Sequence, residues 1–288
     1  MIDSIILGDN AYFGINHRDQ KLASEKASFF SEVHAIIQSF EIAKKNDAGG
    51  VMLSAHRNVD AIVQGIQKSP DLRNEFHVYA YIPYLMNYVQ EVTRNGIFKT
   101  LTRLMSENGS SLLSGGLSLA KKDYHGMVRA LIDLEMARYR GASLRAIFLH
   151  NGIVDLLLGL KMDGLFNFFD EYVRERYQVA PGYGTLNLVG LVQRLKKCGI
   201  KNPVITASFN AMGFGMNPSK KLCEEVVLNN EDFTLLAMNT LAQGALAPEE
   251  AFAYLGRFKK IRHVVIGASS PQHIVESFSA AKKHMGLS

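Results

Sequence analysis

The chain has 288 residues, 47% of them hydrophobic, which is enough to bury a large core. Its formal net charge is +5 with 20% charged residues and no run of five like charges, so a nucleic-acid-binding arm is not expected. No stretch of about 18 apolar residues occurs, and Met1–Asp9 lacks the features of a signal peptide, so we expect no membrane segment. The two cysteines, Cys198 and Cys223, form no metal-ligand spacing and predict a reduced, cytoplasmic protein.

Short apolar runs alternate with segments of helical periodicity along the whole chain, a pattern typical of βα units in a parallel sheet. The predicted strands, in chain order, are Ser4–Gly8, Gly50–Ser54, His77–Ile82, Leu144–Leu149, Gln178–Ala180, Pro203–Ala207, Phe233–Ala237 and His263–Ile266. No Pro- or Gly-rich linker separates two halves. The sequence therefore predicts an α/β fold, a single (β/α)8 or TIM barrel domain over residues 1–288.

The spacing of the strands is regular except between the third and the fourth, where about sixty residues intervene. Two helical stretches, roughly 88–106 and 122–140, flank a connector rich in Gly and Ser at 109–118. We expect an enlarged helical connection over roughly 88–140. The connector is either a flap over the site or a surface hairpin that makes a contact in a homo-oligomer, and both alternatives stay open.

The stretch that begins at His263 is the most informative of the chain. A buried strand ends at Ile266, Gly267 permits a sharp turn, and Ser269 or Ser270 caps a helix that begins at Pro271. Free N–H groups and hydroxyls at such a helix start suit an anion, and the sequence therefore predicts a phosphate site. The alternative is an ordinary capped turn without a ligand.

In this fold the chemistry lies at the carboxyl ends of the strands, and polar residues follow all eight predicted strands. They are Asp9 and Asn10; Ser54, His56 and Arg57; Tyr81 and Tyr84; His150 and Asn151; Tyr183 and Thr185; Ser208 and Asn210; Asn239 and Thr240; Ser269 and Ser270. Each serine or asparagine could simply cap a helix or satisfy a loop. His56 and His150 are poor generic caps, so they are candidates for chemistry.

Three segments within 144–285 resemble the aldo-keto reductase superfamily. Leu144–Asn151 resembles the family's fourth strand, which ends in the catalytic His, here His150. Phe233–Leu246 resembles the seventh strand with its loop, and Val265–Ser277 resembles the segment that holds the 2′-phosphate and adenosine of NADP. Over 1–143 only the strand order supports the likeness. The residues that the resemblance implies for cofactor binding are Gly267, Ser269, Ser270, His273 and Asn239.

The other catalytic positions of that family are changed in this chain. The family protonates its substrate with a Tyr whose pKa is lowered by a Lys and an Asp. Here the Asp position holds Leu53 or Ser54, the Tyr position lies within His56–Asn58, and the Lys position lies within Tyr81–Pro83. A phenol near its ordinary pKa of about 10 is a poor acid unless a cation favours its ionised form. The resemblance therefore implies a degenerate tetrad and a non-standard proton donor.

Three classes of function stay open, all with a small molecule as the partner. The first is an NADP(H)-linked oxidoreductase that acts on a small, anionic molecule. The second is a non-redox isomerase or lyase for a phosphorylated or carboxylated substrate, in which His56 and His150 titrate, Asp9 orients one of them, and Tyr81 or Tyr183 donates to an oxyanion. A metal held by Asp9, His56 and His150 is a variant of this class, although we expect no metal. The third is a binding protein that has lost catalysis.

Overall fold

The computed structural model describes residues 2–13, 33–56, 58–83, 124–229, 232–268 and 270–287. Eight parallel strands pair in chain order, and the eighth pairs with the first, which closes the barrel. The strands are β1 (Ile5–Gly8), β2 (Gly50–Ser54), β3 (His77–Ile82), β4 (Leu144–Leu149), β5 (Ala180–Thr185), β6 (Val204–Ser208), β7 (Thr234–Met238) and β8 (His263–Gly267). The predicted (β/α)8 barrel is confirmed.

Nine α-helices lie within these described ranges. They are α1 (Val33–Lys45), α2 (Val59–Lys68), α3 (Tyr124–Met136), α4 (Asn151–Leu160), α5 (Asp163–Tyr177), α6 (Leu188–Lys197), α7 (Lys220–Asn229), α8 (Pro248–Leu255) and α9 (Pro271–Met285). The helix predicted at 122–140 corresponds to α3 and the 3₁₀ turn that follows it. The predicted helix at 88–106 and the connector at 109–118 lie outside the described residues. None of the helices in the described ranges has the length and apolar character needed to span a membrane.

Side chains alternate between the two faces of each strand, and this alternation divides the core into two layers. Outward residues such as Leu7 and Leu53 pack against apolar faces of the helices. Inward residues fill the barrel itself; they include Ile6, Met52, Tyr79, Tyr81, Phe148, Leu236 and Val265. Because the interior is a packed core rather than a pore, a ligand site has to lie above it, at one end of the strands.

The predicted position of the fifth strand is wrong, whereas the other seven agree within one residue at each end. The fifth strand runs over Ala180–Thr185, which contains one Pro and two Gly residues and so lacks the usual strand composition. The two glycines have a packing role. A Cβ atom on Gly182 would lie 2.4 Å from the ring of Phe148, and one on Gly184 would lie 2.2 Å from Oη of Tyr81. Inward aromatic rings from β3 and β4 therefore determine the composition of β5.

A polar cluster joins β3, β4 and β8 to the segment before β1 at the amino-terminal end of the barrel. The Asp3 carboxylate accepts hydrogen bonds from Oη of Tyr79 at 2.6 Å and from Nδ1 of His77 at 2.8 Å. Nε2 of His77 also lies against the guanidinium of Arg145, and Nδ1 of His263 donates to the Asp3 carbonyl at 3.1 Å. This end of a barrel serves stability rather than chemistry, so the candidate site is at the opposite end.

Candidate active site at the carboxyl ends of the strands

His150 lies between β4 and α4, where it is the N-cap residue of the helix. Its Nδ1 accepts a hydrogen bond from the backbone N–H of Gly152 at 3.1 Å. Because Nδ1 is an acceptor, the proton of the neutral ring is on Nε2. Burial lowers the pKa of His150 to about 4. At neutral pH the imidazole is therefore uncharged, with its Nε2–H as a hydrogen-bond donor.

Tyr81, on β3, lies next to this imidazole with the two ring centroids 4.9 Å apart. Its Oη accepts the backbone N–H of Asn151 at 3.1 Å and donates to Oδ1 of the same residue at 3.4 Å. Burial raises the pKa of Tyr81 above its usual range, so the phenol keeps its proton at neutral pH. The donated bond is long and weak, which leaves the hydroxyl proton able to turn to a better acceptor.

Asp9 follows β1 and is only 5% exposed. Its Oδ2 accepts the backbone N–H of Ser54 at 2.6 Å, which joins the carboxyl ends of β1 and β2. Burial raises the pKa of Asp9 to about 6, although the hydrogen bonds from Ser54 oppose the rise. The structure thus pairs this carboxyl group with Ser54, whereas a role in orienting His56 or His150 was expected.

His56 follows β2 and interacts with the backbone in the same manner as His150. Its Nδ1 lies 3.5 Å from the backbone N of Asn58, two residues further along the chain. His150 thus caps α4, contrary to the expectation that histidines are poor caps, whereas the N-cap of α2 is Asn58 and not His56. Arg57 and Tyr84, two further candidates from the sequence, lie outside the described residues.

Tyr183 does not reach the site, and its predicted role as an oxyanion donor is wrong. Its side chain is fully buried among apolar residues on the outer face of the barrel, and its Oη donates to Asp170 of α5 at 3.3 Å. The reason is the alternation of β5, in which Gly182 and Gly184 face inward and Tyr183 therefore faces outward. The strand contributes backbone, rather than a phenol, to the mouth of the barrel.

The start of α9 has the geometry that the sequence predicts. Ser270 is the N-cap, its Oγ accepts the backbone N–H of His273 at 3.2 Å, and Pro271 occupies the first helical position. A Cβ atom on Gly267 would meet nothing within 4 Å, so the backbone at the end of β8 borders open space. The His273 side chain is exposed on the first turn. These residues fit a phosphate group, and Ser269 lies outside the described residues.

The loop after β6 is a part of the mouth that the sequence did not single out beyond Asn210. Asn210 is fully buried, and its amide forms two hydrogen bonds to the backbone of Phe214, at 2.8 and 2.9 Å. Asn239, after β7, has a positive φ of 55°; its Oδ1 accepts from Gln243, and its Nδ2 is 3.5 Å from Oγ of Ser208. The run Gly213-Phe-Gly215 was the signal in the sequence, since both glycines adopt positive φ.

Metal ligation finds no support in the part of the chain that the structure describes. Within those ranges no group of three or more His, Cys, Asp or Glu side chains is arranged to hold an ion. The variant built on Asp9, His56 and His150 therefore has no geometric basis here.

No protein-family model matches the sequence, and no curated protein matches it. Solved structures match it over nearly its full length. A protein from Pseudomonas aeruginosa described as an aldo-keto reductase has a TM-score of 0.62 at 10% identity, covering 98% of this chain and 90% of its own. An aldo-keto reductase from Bacillus halodurans in its holo form gives 0.58 at 10% identity, with 98% and 91% covered. One from Klebsiella pneumoniae in complex with NADPH gives 0.52 at 13% identity, with 97% and 85% covered.

The chain has the aldo-keto reductase fold. The contacts of the residues that the resemblance assigns to the tetrad positions are as follows. Leu53 faces outward into the core, and its carbonyl accepts from Oη of Tyr139 at 2.7 Å. The backbone N–H of Ser54 donates to the Asp9 carboxylate. Tyr81 lies in the region where the family has a lysine. The aldo-keto reductase fold of this chain thus presents two neutral donors, Nε2–H of His150 and Oη–H of Tyr81, at the end of β3 and β4.

Proposed function

We propose that this protein is an NADP(H)-linked oxidoreductase that reduces the carbonyl group of a small molecule, with His150 as a neutral hydrogen-bond donor. The observation that carries the proposal is the bond from Gly152 to Nδ1 of His150, which leaves Nε2–H to a ligand beside Tyr81. A fold alone does not determine function, so the argument depends on this site. The net charge of +5 favours an anionic substrate.

The residues that would hold NADP are Gly267 at the end of β8, Ser270 and His273 at the start of α9, Asn239 after β7, and Ser269 from the sequence. Backbone N–H groups and the positive end of the helix dipole favour a phosphate there, and the exposed imidazole of His273 adds a donor. The structure of the Klebsiella pneumoniae protein, which shares the fold, contains NADPH and supports this choice of cofactor. When bound, the cofactor supplies a hydride.

His150 would bind the carbonyl oxygen through Nε2–H. A neutral donor is suited to this task, because oxygen gains negative charge during reduction and the hydrogen bond strengthens as it does. Burial of the imidazole prevents it from becoming a cation at neutral pH. A neutral imidazole at a helix N-terminus can polarise a carbonyl in this way.

Tyr81 is our choice for the proton donor. The alkoxide that forms on reduction is a stronger base than a phenolate, so it can take the Oη proton of Tyr81 although the pKa of this phenol is raised. The N–H of Asn151, 3.1 Å from Oη, would then stabilise the phenolate. Because no described cation lowers the pKa of Tyr81, the transfer is slower than in a tuned site. Ordinary aldehydes should therefore be reduced well below a typical rate of roughly 10 per second.

A second candidate function is non-redox acid–base chemistry, and one observation favours it. The pKa of Asp9 is raised to about 6, which suits a carboxyl group that exchanges protons near neutral pH. An isomerase or lyase of this kind would exchange substrate protons with solvent in the absence of a nicotinamide cofactor.

The test begins with thermal midpoints measured with NADPH, NADH and inorganic phosphate, since a ligand of the folded state raises the midpoint. We expect NADPH to give the largest rise in the thermal midpoint of the wild type. The rise should be equal in His150→Gln, because this variant keeps the residues proposed to bind the phosphate. NADPH oxidation with an aldehyde panel should then be slow in wild type and lost in His150→Gln. The result that contradicts this proposal has two parts. NADPH would leave the thermal midpoint unchanged, and a substrate would take up deuterium from solvent in the absence of cofactor. The acid–base alternative would then replace the oxidoreductase.

A further inference from the structure

Seven exposed Lys and Arg side chains gather in one sector at the amino-terminal end of the barrel. They come from the end of α6 and from the turns that lead into β6 and β8: Lys196, Lys197, Lys201, Arg257, Lys259, Lys260 and Arg262. We call this set the basic face. The turn into β7, which lies between them, contributes two acidic residues, Asp232 and, outside the described residues, Glu231. The sector therefore holds an excess of five positive charges.

The fold brings these charges together, although no run of five like charges occurs in the sequence. Strands β6, β7 and β8 are neighbours, so the starts of β6 and β8 lie about 10 Å apart, which is two strand spacings. The end of α7 and the turn into β7 connect the two sides. Lys196 forms an ion pair with Asp232 at 3.3 Å, and Lys260 donates to the Leu228 carbonyl at 2.7 Å. Because the Debye length in physiological salt is about 8 Å, charges at this spacing act as one surface.

Helix dipoles explain only a part of the basic face. Basic residues in the last turn of a helix stabilise its negative end, and Lys196 and Lys197 are placed in this way on α6. The last turn of α8 holds no basic residue, yet the turn that follows it contains four. The cations of this second turn therefore need another explanation.

Most of the basic face also lacks carboxylate partners. Around the turn into β2, by contrast, lysines are paired: Lys44 with Glu75, Lys45 with Asp71 and Lys282 with Asp47. In the described part of the chain, Lys197, Lys201, Lys259 and Arg262 form no ion pair. Grouping unpaired charges of one sign costs free energy through self-repulsion, and a polyanion bound at this surface would offset that cost.

The other side chains of the sector distinguish between polyanionic partners. Leu228, near the end of α7, is 53% exposed and lies beside Lys260. A lone exposed leucine is ordinary, but next to a cluster of cations it is suited to the headgroup region of a membrane. A single-stranded nucleic acid would favour exposed aromatic rings that stack on bases. The aromatic residues of these turns instead face inwards, since Phe258 is buried and Phe233 packs against the core.

We propose that the basic face binds the surface of a membrane that contains anionic phospholipids, with the cations on the headgroups and Leu228 at the edge of the acyl region. This contact involves one leaflet and differs from a membrane-spanning segment. His150 follows the carboxyl end of β4, so the candidate active site opens on the opposite side of the barrel, towards water. Binding would hold the protein at a membrane while its site stays open to small molecules, whichever reaction that site catalyses.

Vesicle sedimentation with the full chain measures this contact. Phosphatidylcholine vesicles that contain phosphatidylserine should bind the wild type, less tightly as the salt concentration rises, and vesicles of phosphatidylcholine alone should not. Lys259→Gln should weaken binding roughly 5-fold, and Lys201→Gln combined with Lys259→Gln roughly 30-fold, since each cation near an anionic membrane contributes a factor of about 5. The double variant tests whether both turns touch the same surface.

The matched control is Lys221→Gln, which removes the same charge from the other end of α7. The Lys221 side chain is 84% exposed near the start of this helix, whereas Leu228 is near its end. This variant should bind the vesicles as the wild type does. Lys201 and Lys259 are exposed and form no ion pair among the described residues, so every variant should keep the thermal midpoint of the wild type. Lost binding would then not be a consequence of unfolding.

Leu228→Ser tests whether the polyanion is a membrane, because only a membrane has an apolar interior. It should weaken vesicle binding by roughly 5- to 10-fold. Losses in Lys259→Gln and Leu228→Ser, with Lys221→Gln unaffected, support the membrane contact. Unchanged vesicle binding in Leu228→Ser overturns it, and so does binding of a DNA or RNA oligonucleotide without binding of the vesicles, which would assign the basic face to a nucleic acid. No binding to phosphatidylserine vesicles at low salt, or equal losses in Lys221→Gln and Lys259→Gln, overturns it as well.

Discussion

Nδ1 of His150 and the backbone N–H of Gly152 lie 3.1 Å apart, and this one bond serves both the fold and the site. It satisfies an N–H group at the start of α4 that no helical carbonyl can reach. It also assigns the proton of the neutral ring to Nε2. Within the described residues Nε2 of His150 makes no hydrogen bond of its own, so this capping residue can donate to a ligand without any change in the helix start.

The two roles of His150 can be separated by substitution. His150→Asn should keep the cap, since Asn is a preferred N-cap residue, and therefore unfold near wild type in denaturant. His150→Ala should lose about 1 kcal/mol of unfolding free energy. Both variants lack the Nε2–H group, so carbonyl turnover should fall roughly 10²-fold or more in each. If His150→Asn retains full turnover, the role of His150 is capping alone.

Asp9 should make the protein more stable in mild acid. The pKa of this buried carboxyl is about 6 when folded and 3.8 in the ordinary state, so the folded protein holds the proton more tightly. The stabilisation is complete below pH 3.8 and is lost as pH rises through 6. Relative to wild type, Asp9→Asn should therefore gain up to about 3 kcal/mol between these limits. Urea unfolding across this range measures the difference, and parallel curves for the two proteins would contradict it.

His150 should have the opposite pH dependence. Burial lowers its pKa from 6.5 to about 4, so the unfolded chain binds the proton more tightly. Stability is then lost as pH falls from 6.5 towards 4, by an amount on the order of 3 kcal/mol if burial is the sole cause. His150→Asn removes this dependence and keeps the cap, which makes it the matched comparison. The two effects partly cancel in wild type, and for this reason each has to be measured against its own variant.

The phosphate end of the site can be tested with Ser269 and Ser270. Replacing both with Ala should weaken NADPH binding by about 1–3 kcal/mol, if charge-assisted bonds to a phosphate are lost. Because Ser270 also caps α9, a control for lost capping is needed. Ser219→Ala removes the hydroxyl that accepts from Leu222 at the start of α7, and it should leave NADPH affinity unchanged. Unaltered affinity in the serine double variant would argue against this phosphate site.

Much of the barrel can be predicted from the sequence because most strands contain continuous apolar runs with polar residues at their ends. Strand β5 is the exception, because its glycines leave room for aromatic rings on β3 and β4, and those rings are distant in the chain. The same strand explains the error at Tyr183, because one residue of register decides which face a side chain takes. His150 was identified by residue type and resemblance, but its protonation depends on a bond to Gly152 that only the structure shows.

Gly184 provides a test of where Tyr81 directs its hydroxyl. A Cβ atom on Gly184 would lie 2.2 Å from Oη and 2.9 Å from Cζ of Tyr81, so Gly184→Ala must displace this ring from Asn151. We expect a loss of about 1–3 kcal/mol of unfolding free energy from overpacking, together with lower turnover. Gly164→Ala, in α5, meets nothing within 4 Å and should be neutral or slightly stabilising.

The double variant Gly184→Ala with Tyr81→Phe distinguishes packing from chemistry. Removal of Oη relieves the shortest contact, so the double variant should recover part of the unfolding free energy that Gly184→Ala loses. Turnover should not recover, because the proposed proton donor is absent. If turnover does return with stability, the hydroxyl of Tyr81 is not the donor and its bond to the N–H of Asn151 is structural. If Gly184→Ala unfolds like wild type, Oη does not lie against β5, and the donor geometry proposed for Tyr81 is wrong.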